Sequence, residues 1–221
     1  MSDLIECRAR KSVVLAKVLG FCLCVWSCVG VAQGVFDHPV QAGSAEAESL
    51  EVIADELRQN LPVSGAIKQQ KHLAILREPM VSKGAFTLAA DGDLQWRITE
   101  PFAVAYSMAA GELTREMDGK SETITASAEP ALYGFFQLFG RLFDLSLQDL
   151  NSYFSVYLLT AAEAGEHWVI GLTPQDSRLQ KVLSHIVVQG EDGMIDQVTL
   201  TEPGEDYTVL YFSYAAADET E

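Results

Sequence analysis

Gln69-Gln70-Lys71-His72-Leu73-Ala74-Ile75-Leu76-Arg77-Glu78-Pro79-Met80-Val81-Ser82-Lys83-Gly84-Ala85-Phe86-Thr87-Leu88-Ala89-Ala90-Asp91-Gly92-Asp93-Leu94-Gln95-Trp96-Arg97-Ile98-Thr99-Glu100-Pro101 is the stretch on which the fold turns. Pro79 interrupts an extended run, and Ser82-x-Gly84 reads as a turn. Phe86 and Leu88 alternate before Asp91-Gly92-Asp93; Leu94, Trp96 and Ile98 alternate after it. A period of two on both sides of an Asp-Gly pair is a hairpin with one apolar face.

The same pattern continues outward. The spacing predicts an extended segment over 66–76 and strands over 83–89, 93–99, 103–108, 112–117 and 122–125. Asp118-Gly119 supplies another turn. A second set covers 153–160, 167–172, 183–189, 194–200 and 207–212, and residues 174–179 read as a short helical connection. Upstream, Leu50, Ile53, Ala54 and Leu57 recur at helical spacing, with acids early and Arg58 late, and Leu61-Pro62 ends that helix. Between the two strand sets, Leu132, Phe135, Phe136, Leu138, Phe139, Leu142 and Phe143 crowd together without alternation, which predicts a helix over 130–143. Asp144-Leu145-Ser146 should break it, with one further turn over 147–151. Gly134 and Gly140 each lower its intrinsic propensity by about 1 kcal/mol, so packing must hold it.

The first 32 residues separate on physical grounds. Arg8, Arg10, Lys11 and Lys17 precede an apolar run over 18–29 that is too short for a comfortable span, with small residues at Gly30 and Ala32. This predicts a signal peptide cleaved after Ala32. All four cysteines (Cys7, Cys22, Cys24, Cys28) fall inside it, which leaves the mature chain without disulfide or thiol chemistry. Val25-Trp26-Ser27-Cys28 faintly resembles a lipobox, so a lipidated Cys28 is the rival ending. The domain reading is a signal peptide at 1–32, a flexible segment at 33–47, one folded domain at 48–214 and an acidic tail at 215–221.

The full chain carries a formal charge of −16. Removing four basic and two acidic leader residues makes it −18. Phosphate contacts need clustered Lys and Arg, so nucleic acid is excluded as a partner. The charge also disperses the protein, repels an anionic leaflet and favours basic patches on docking partners.

Catalytic patterns are missing. His38, His72, His167 and His185 lack the i, i+4 spacing of a helical zinc site, and there is no Gly-x-Ser-x-Gly elbow or phosphate loop. No catalytic residue, metal or cofactor is expected. A carboxylate pair of glycosidase type is not distinguishable among so many acids. A hydrolase of lipid-linked substrate would need a His and acid cluster in the cavity.

The Gln69–Pro101 block resembles the first strands of the LolA-like outer-membrane lipoprotein carriers. Trp168-Val169-Ile170-x-Leu172-x-Pro174 and Ile195-x-x-Val198-x-Leu200-x-Glu202 … Gly204-x-x-Tyr207-Thr208 … Phe212 are similar to later parts of the same pattern. The resemblance implies an α+β fold: an unclosed antiparallel β half-barrel of about 10–11 strands covered by a helical lid. It implies a periplasmic, non-enzymatic, monomeric carrier of lipoprotein or lipid cargo, with an inner-membrane transporter as donor and an outer-membrane protein as acceptor. Related readings are a LolB-like receptor, if Cys28 is lipidated, and a dedicated lipid or aryl-polyene carrier. The better-studied carriers tie the lid with an arginine where this chain has Ala90.

The helices at 49–59 and 130–143 are then the lid. Leu88, Leu94, Trp96, Ile98, Phe135, Phe136, Phe139 and Trp168 are the expected lining of a dry hollow beneath it.

Overall fold

The computed structural model describes residues 34–142, 150–165 and 167–214. The leader with Cys28, the break at 144–146, most of the turn at 147–151 and the acidic tail lie outside them. Helix α1, Ala45–Gln59, is N-capped by Ser44, whose hydroxyl accepts from Ala47 N–H, and it carries Glu46 and Glu48 in its first turn and Arg58 in its last. That arrangement suits both the free amides and the helix dipole. Leu50, Ile53, Ala54 and Leu57 are all buried, as the periodicity predicts.

Six strands follow as a meander: β1 Val63–His72, β2 Met80–Leu88, β3 Leu94–Glu100, β4 Val104–Ala109, β5 Glu112–Met117 and β6 Lys120–Ile124. Helix α2, Pro130–Leu142, leads into β7 Phe154–Leu159. The one-turn helix α3, Ala161–Ala164, precedes β8 Trp168–Pro174, β9 His185–Glu191, β10 Met194–Thr201 and β11 Tyr207–Tyr214. All eleven form one antiparallel sheet in the order β6-β5-β4-β3-β2-β1-β11-β10-β9-β8-β7. The two meanders are joined in the middle by the β1–β11 pair, Gly65 opposite Tyr214 through His72 opposite Tyr207. Strands β6 and β7 are the outermost of the eleven, β7 being partly covered by residues 38–40 through the Pro39–Tyr157 bridge, and α2 lies on the crossover between them.

The sheet faces differ. The concave face and both long helices share one cluster, from Leu50 and Leu57 through Trp96 and Phe136 to Ile170 and Leu210. The opposite face carries a small satellite in which Val35, Leu159, Val169 and Val187 are buried.

Several boundaries correct the sequence reading. Ser82-x-Gly84 is not a turn but part of β2, with a register shift at Lys83/Gly84. Gly84 is required there because a Cβ would sit 1.8 Å from the Arg97 carbonyl oxygen. Residues 73–76 are not extended; β1 stops at His72. The connection after β8 is a 3-10 turn at Leu179–Lys181, since β8 continues to Pro174 and the Asp176 carboxylate accepts from the amides of Arg178 and Leu179. Segment 34–47 contains a 3-10 turn at Val35–Asp37 and the start of α1, with Val35 fully buried and Val40 N–H donating to Val156. Its apolar residues act as single plugs, which no periodicity reports.

Candidate functional site

The lid is α2, and its aromatic residues meet the trough at Trp96. The Trp96 ring centroid lies 5.7 Å from Phe135, 6.1 Å from Phe136 and 5.2 Å from Phe139, all close to perpendicular. Such edge-to-face pairs place a ring's positive edge on the neighbour's negative face. Phe212 of β11 stacks on Phe139 at 5.4 Å, and Phe86 of β2 meets Phe212 edge-on at the same distance. Tyr106 of β4 lies 5.0 Å from Phe136. Phe135, Phe136 and Phe139 share the face at i, i+1 and i+4, while Gly134 and Gln137 point to solvent.

The residues expected as lining all belong to the cluster on the concave side. Leu88 and Leu94 are fully buried and paired across the β2–β3 hairpin; Trp96 is 3% exposed and Ile98 is half-buried. Phe136 and Phe139 are each 1% exposed and pack edge-on against Trp96. Trp168 joins the cluster from the other half of the sheet, packed over Gly190, where a Cβ would come within 2.4 Å of its ring. Among the described residues, a shallow pocket of about 240 Å³ borders Gly111, Thr123 and Tyr133, open to solvent at the first turn of α2 and outside the aromatic cluster.

Two polar ties hold the lid's beginning. The Tyr133 hydroxyl donates to the Gly111 carbonyl at 2.6 Å, in the β4–β5 turn. Arg115 of β5 bridges Glu122, 2.6 Å away, and Glu129, 3.1 Å away, immediately before α2. At the other end of α2, Gly140 approaches the Gly92 carbonyl in the β2–β3 turn, where a Cβ would be 3.8 Å from it. The C-terminus of α1 is tied to the β9–β10 turn through Asn60 Nδ2, which donates to the carbonyls of Asp192 and Gly193.

Phe212, Tyr106 and Phe86 belong to the cluster but escape the candidate set. Alternation of Leu210, Phe212 and Tyr214 carries the inward signal for Phe212. Its place beside Phe86 and Phe139 depends on the β1–β11 pairing, which is remote in sequence.

One His and acid cluster exists among the described residues. His167 Nδ1 lies 3.6 Å from Glu191 and 3.5 Å from Asp196. Burial, with the nearby Glu191 charge, pushes the Asp196 carboxyl above its usual range. His167 precedes Trp168, and strand alternation sets it on the face of Val169, away from the trough. It cannot serve a reaction beneath the lid.

An unclosed half-barrel whose edge-to-edge crossover is an aromatic helical lid defines the class of protein. A sequence profile for the family described as outer membrane lipoprotein carrier protein LolA-like matches residues 42–218, and the chain belongs to that family. Similar solved structures include a DUF1329 family protein from Desulfovibrio piger, at 11% identity over 79% of this chain and 95% of that one, with a TM-score of 0.45. A LolA superfamily protein from Nitrosomonas europaea shares 14% identity over 77% and 92%, with a TM-score of 0.44. A putative outer membrane lipoprotein-sorting protein domain from Vibrio parahaemolyticus shares 14% identity over 79% and 95%, with a TM-score of 0.40. A search of curated protein sequences finds no match.

Proposed function

We propose that the protein is a periplasmic carrier that shelters acyl chains of lipoproteins or lipids in the trough. It takes them from an inner-membrane donor and passes them to an outer-membrane acceptor without covalent chemistry. The observation that carries this reading is the seating of Phe136 and Phe139, almost wholly buried, on a segment joined to the sheet only at its edges. The rings keep the trough dry when it is empty, and an acyl chain takes their place.

Magnitudes favour that exchange. Exposing a buried Phe costs about 1.5–3 kcal/mol, so the two buried lid rings together cost roughly 3–6 kcal/mol. Sheltering a chain of about 15 methylenes gains roughly 12 kcal/mol at 0.8 kcal/mol per CH₂. A trough closed by its own side chains is thus ready to open for cargo and to close again on release.

A fluorescent fatty acid tests the reading. The wild-type chain should retain it, and Phe139→Asp should lower retention about tenfold or more while far-UV circular dichroism still reports the sheet. A brominated fatty acid should also quench Trp96 emission in the wild-type protein, which needs no variant to fold. Retention unchanged in Phe139→Asp, or bromine without effect on the tryptophans, refutes it.

A further inference from the structure

Three neighbouring strands bring one side chain each to a single spot on the face away from the trough. His167 stands one residue before β8, Glu191 is the last residue of β9, and Asp196 lies near the start of β10. Trp168 pairs with Gly190, so His167 and Glu191, the next residues along in this antiparallel pair, are neighbours on the opposite face. Asp196 is the extra residue of a bulge: Ile195 pairs with Gly190 and Gln197 with Gln189, leaving Asp196 without a partner in the ladder. Bulges re-aim side chains, and here Asp196 reaches across β9 to His167. Helical i, i+4 spacing does not report such a set, because three separate strands supply it.

The distances fit ligands better than hydrogen bonds. His167 Nδ1 is 3.6 Å from Glu191 Oε2 and 3.5 Å from Asp196 Oδ2, beyond the roughly 2.7–3.2 Å of an N–H···O bond. Donors about 2.0–2.1 Å from a zinc ion at tetrahedral angles lie roughly 3.3 Å apart. One donor atom from each of the three residues falls within 4.8 Å of the other two, and the half-exposed Glu191 side chain is free to close the remaining distance. Asp196 Oδ2 is shut off from solvent and takes part in no hydrogen bond, so an acceptor is held inside the cluster with nothing to accept from.

We propose that His167, Glu191 and Asp196 bind a divalent transition-metal ion of the zinc class, bracing β8, β9 and β10 on the face away from the trough. Neutral imidazole offers the Nδ1 lone pair and selects against hard cations such as magnesium and calcium, which take oxygen ligands. Three protein ligands leave a fourth position for water. A cation also offsets the repulsion that Glu191 and Asp192, together with burial, impose on the Asp196 carboxylate. The brace reaches the helices through the β9–β10 turn, whose Asp192 and Gly193 carbonyls accept from Asn60 at the end of α1. Metal binding here is separate from cargo retention under the lid.

Isothermal titration of the chelator-treated full chain with zinc chloride tests the site, with Cys7, Cys22, Cys24 and Cys28 alkylated so that leader thiolates take no metal. The wild type should bind one zinc that excess magnesium does not displace. His167→Ala and Asp196→Asn should each weaken binding about tenfold or more, and His72→Ala should match the wild type. Zinc should also slow amide hydrogen exchange over residues 189–196 of the wild type and leave α2 unchanged, a readout that needs no variant to fold. No zinc binding by the wild type, displacement by magnesium, affinity kept in His167→Ala and Asp196→Asn, equal loss in His72→Ala, or exchange over 189–196 that zinc does not slow would overturn the proposal.

Discussion

Phe136 and Phe102 are the same residue type in opposite circumstances. The first is 1% exposed beneath the lid, where α2 bridges the edges of the sheet; the second is 80% exposed on the β3–β4 turn, at the rim away from the lid helices. Turns at the lid end are short and polar, built on Asp-Gly and Ala-Gly pairs whose residues Ala110 and Asp192 have positive φ, and their carbonyls receive hydrogen bonds from the helices. At the rim the Asp118-Gly119 turn is of the same short kind, but the β1–β2 and β3–β4 connections carry apolar side chains that stay exposed among the described residues. The difference teaches that hydrophobic content alone does not mark the core; what decides is whether another element is joined closely enough to lie over it.

Alanine substitution of the two phenylalanines should break that comparison if it is wrong. Phe136→Ala should lower the unfolding free energy by about 3–5 kcal/mol, and Phe102→Ala should change it by less than about 0.5 kcal/mol, both measured by denaturant titration. Equal effects would mean that the lid rings are not packed as described.

Tyr133→Phe sharpens the account of the lid. It removes the hydrogen bond to Gly111 without altering the ring, and should cost about 1 kcal/mol. Amide hydrogen exchange should quicken in α2 and stay unchanged in β8 through β10. Exchange that accelerates evenly across the sheet would show that the tie holds the whole fold rather than the lid.

A further small effect lies at neither end's aromatic residues but at Asp196 of the chelator-treated protein. Burial and Glu191 raise its pKa in the folded protein. The folded state therefore holds a proton that the unfolded state releases, and stability falls as pH rises through the interval between the two pKa values. Asp196→Asn should raise the melting temperature at neutral pH and leave it unchanged below the ordinary carboxylate range. Because the group is partly exposed, solvent screening keeps the gain below about 1 kcal/mol. A melting temperature lowered at neutral pH would show that His167 and Asp196 form a net stabilising pair instead.

Much of the fold was legible because its signals are local. Alternation placed Leu88, Leu94 and Trp96 on one face, and all three are buried; helical spacing placed Leu50, Ile53, Ala54 and Leu57. The candidate lining residues were chosen by the same patterns. What the patterns could not supply was mutual position. Phe136 reads as apolar at helix spacing whether it walls a hollow or fills it, and Phe212 reads as one more inward residue until β11 is known to pair with β1. Ser82-x-Gly84 misled because glycine signals either a turn or a close backbone approach, and only the facing Arg97 carbonyl distinguishes them.

By itself the sequence determined the strand and helix order, the inward faces and the acidic balance, since these depend on neighbours within a few residues along the chain. The tertiary structure alone decided that the two meanders join through β1 and β11, that α2 closes the trough with its own rings, and that the uncovered hydrophobics gather at one rim. Those outcomes rest on contacts between residues far apart in the chain, whose positions are set by register and crossover rather than by local propensity.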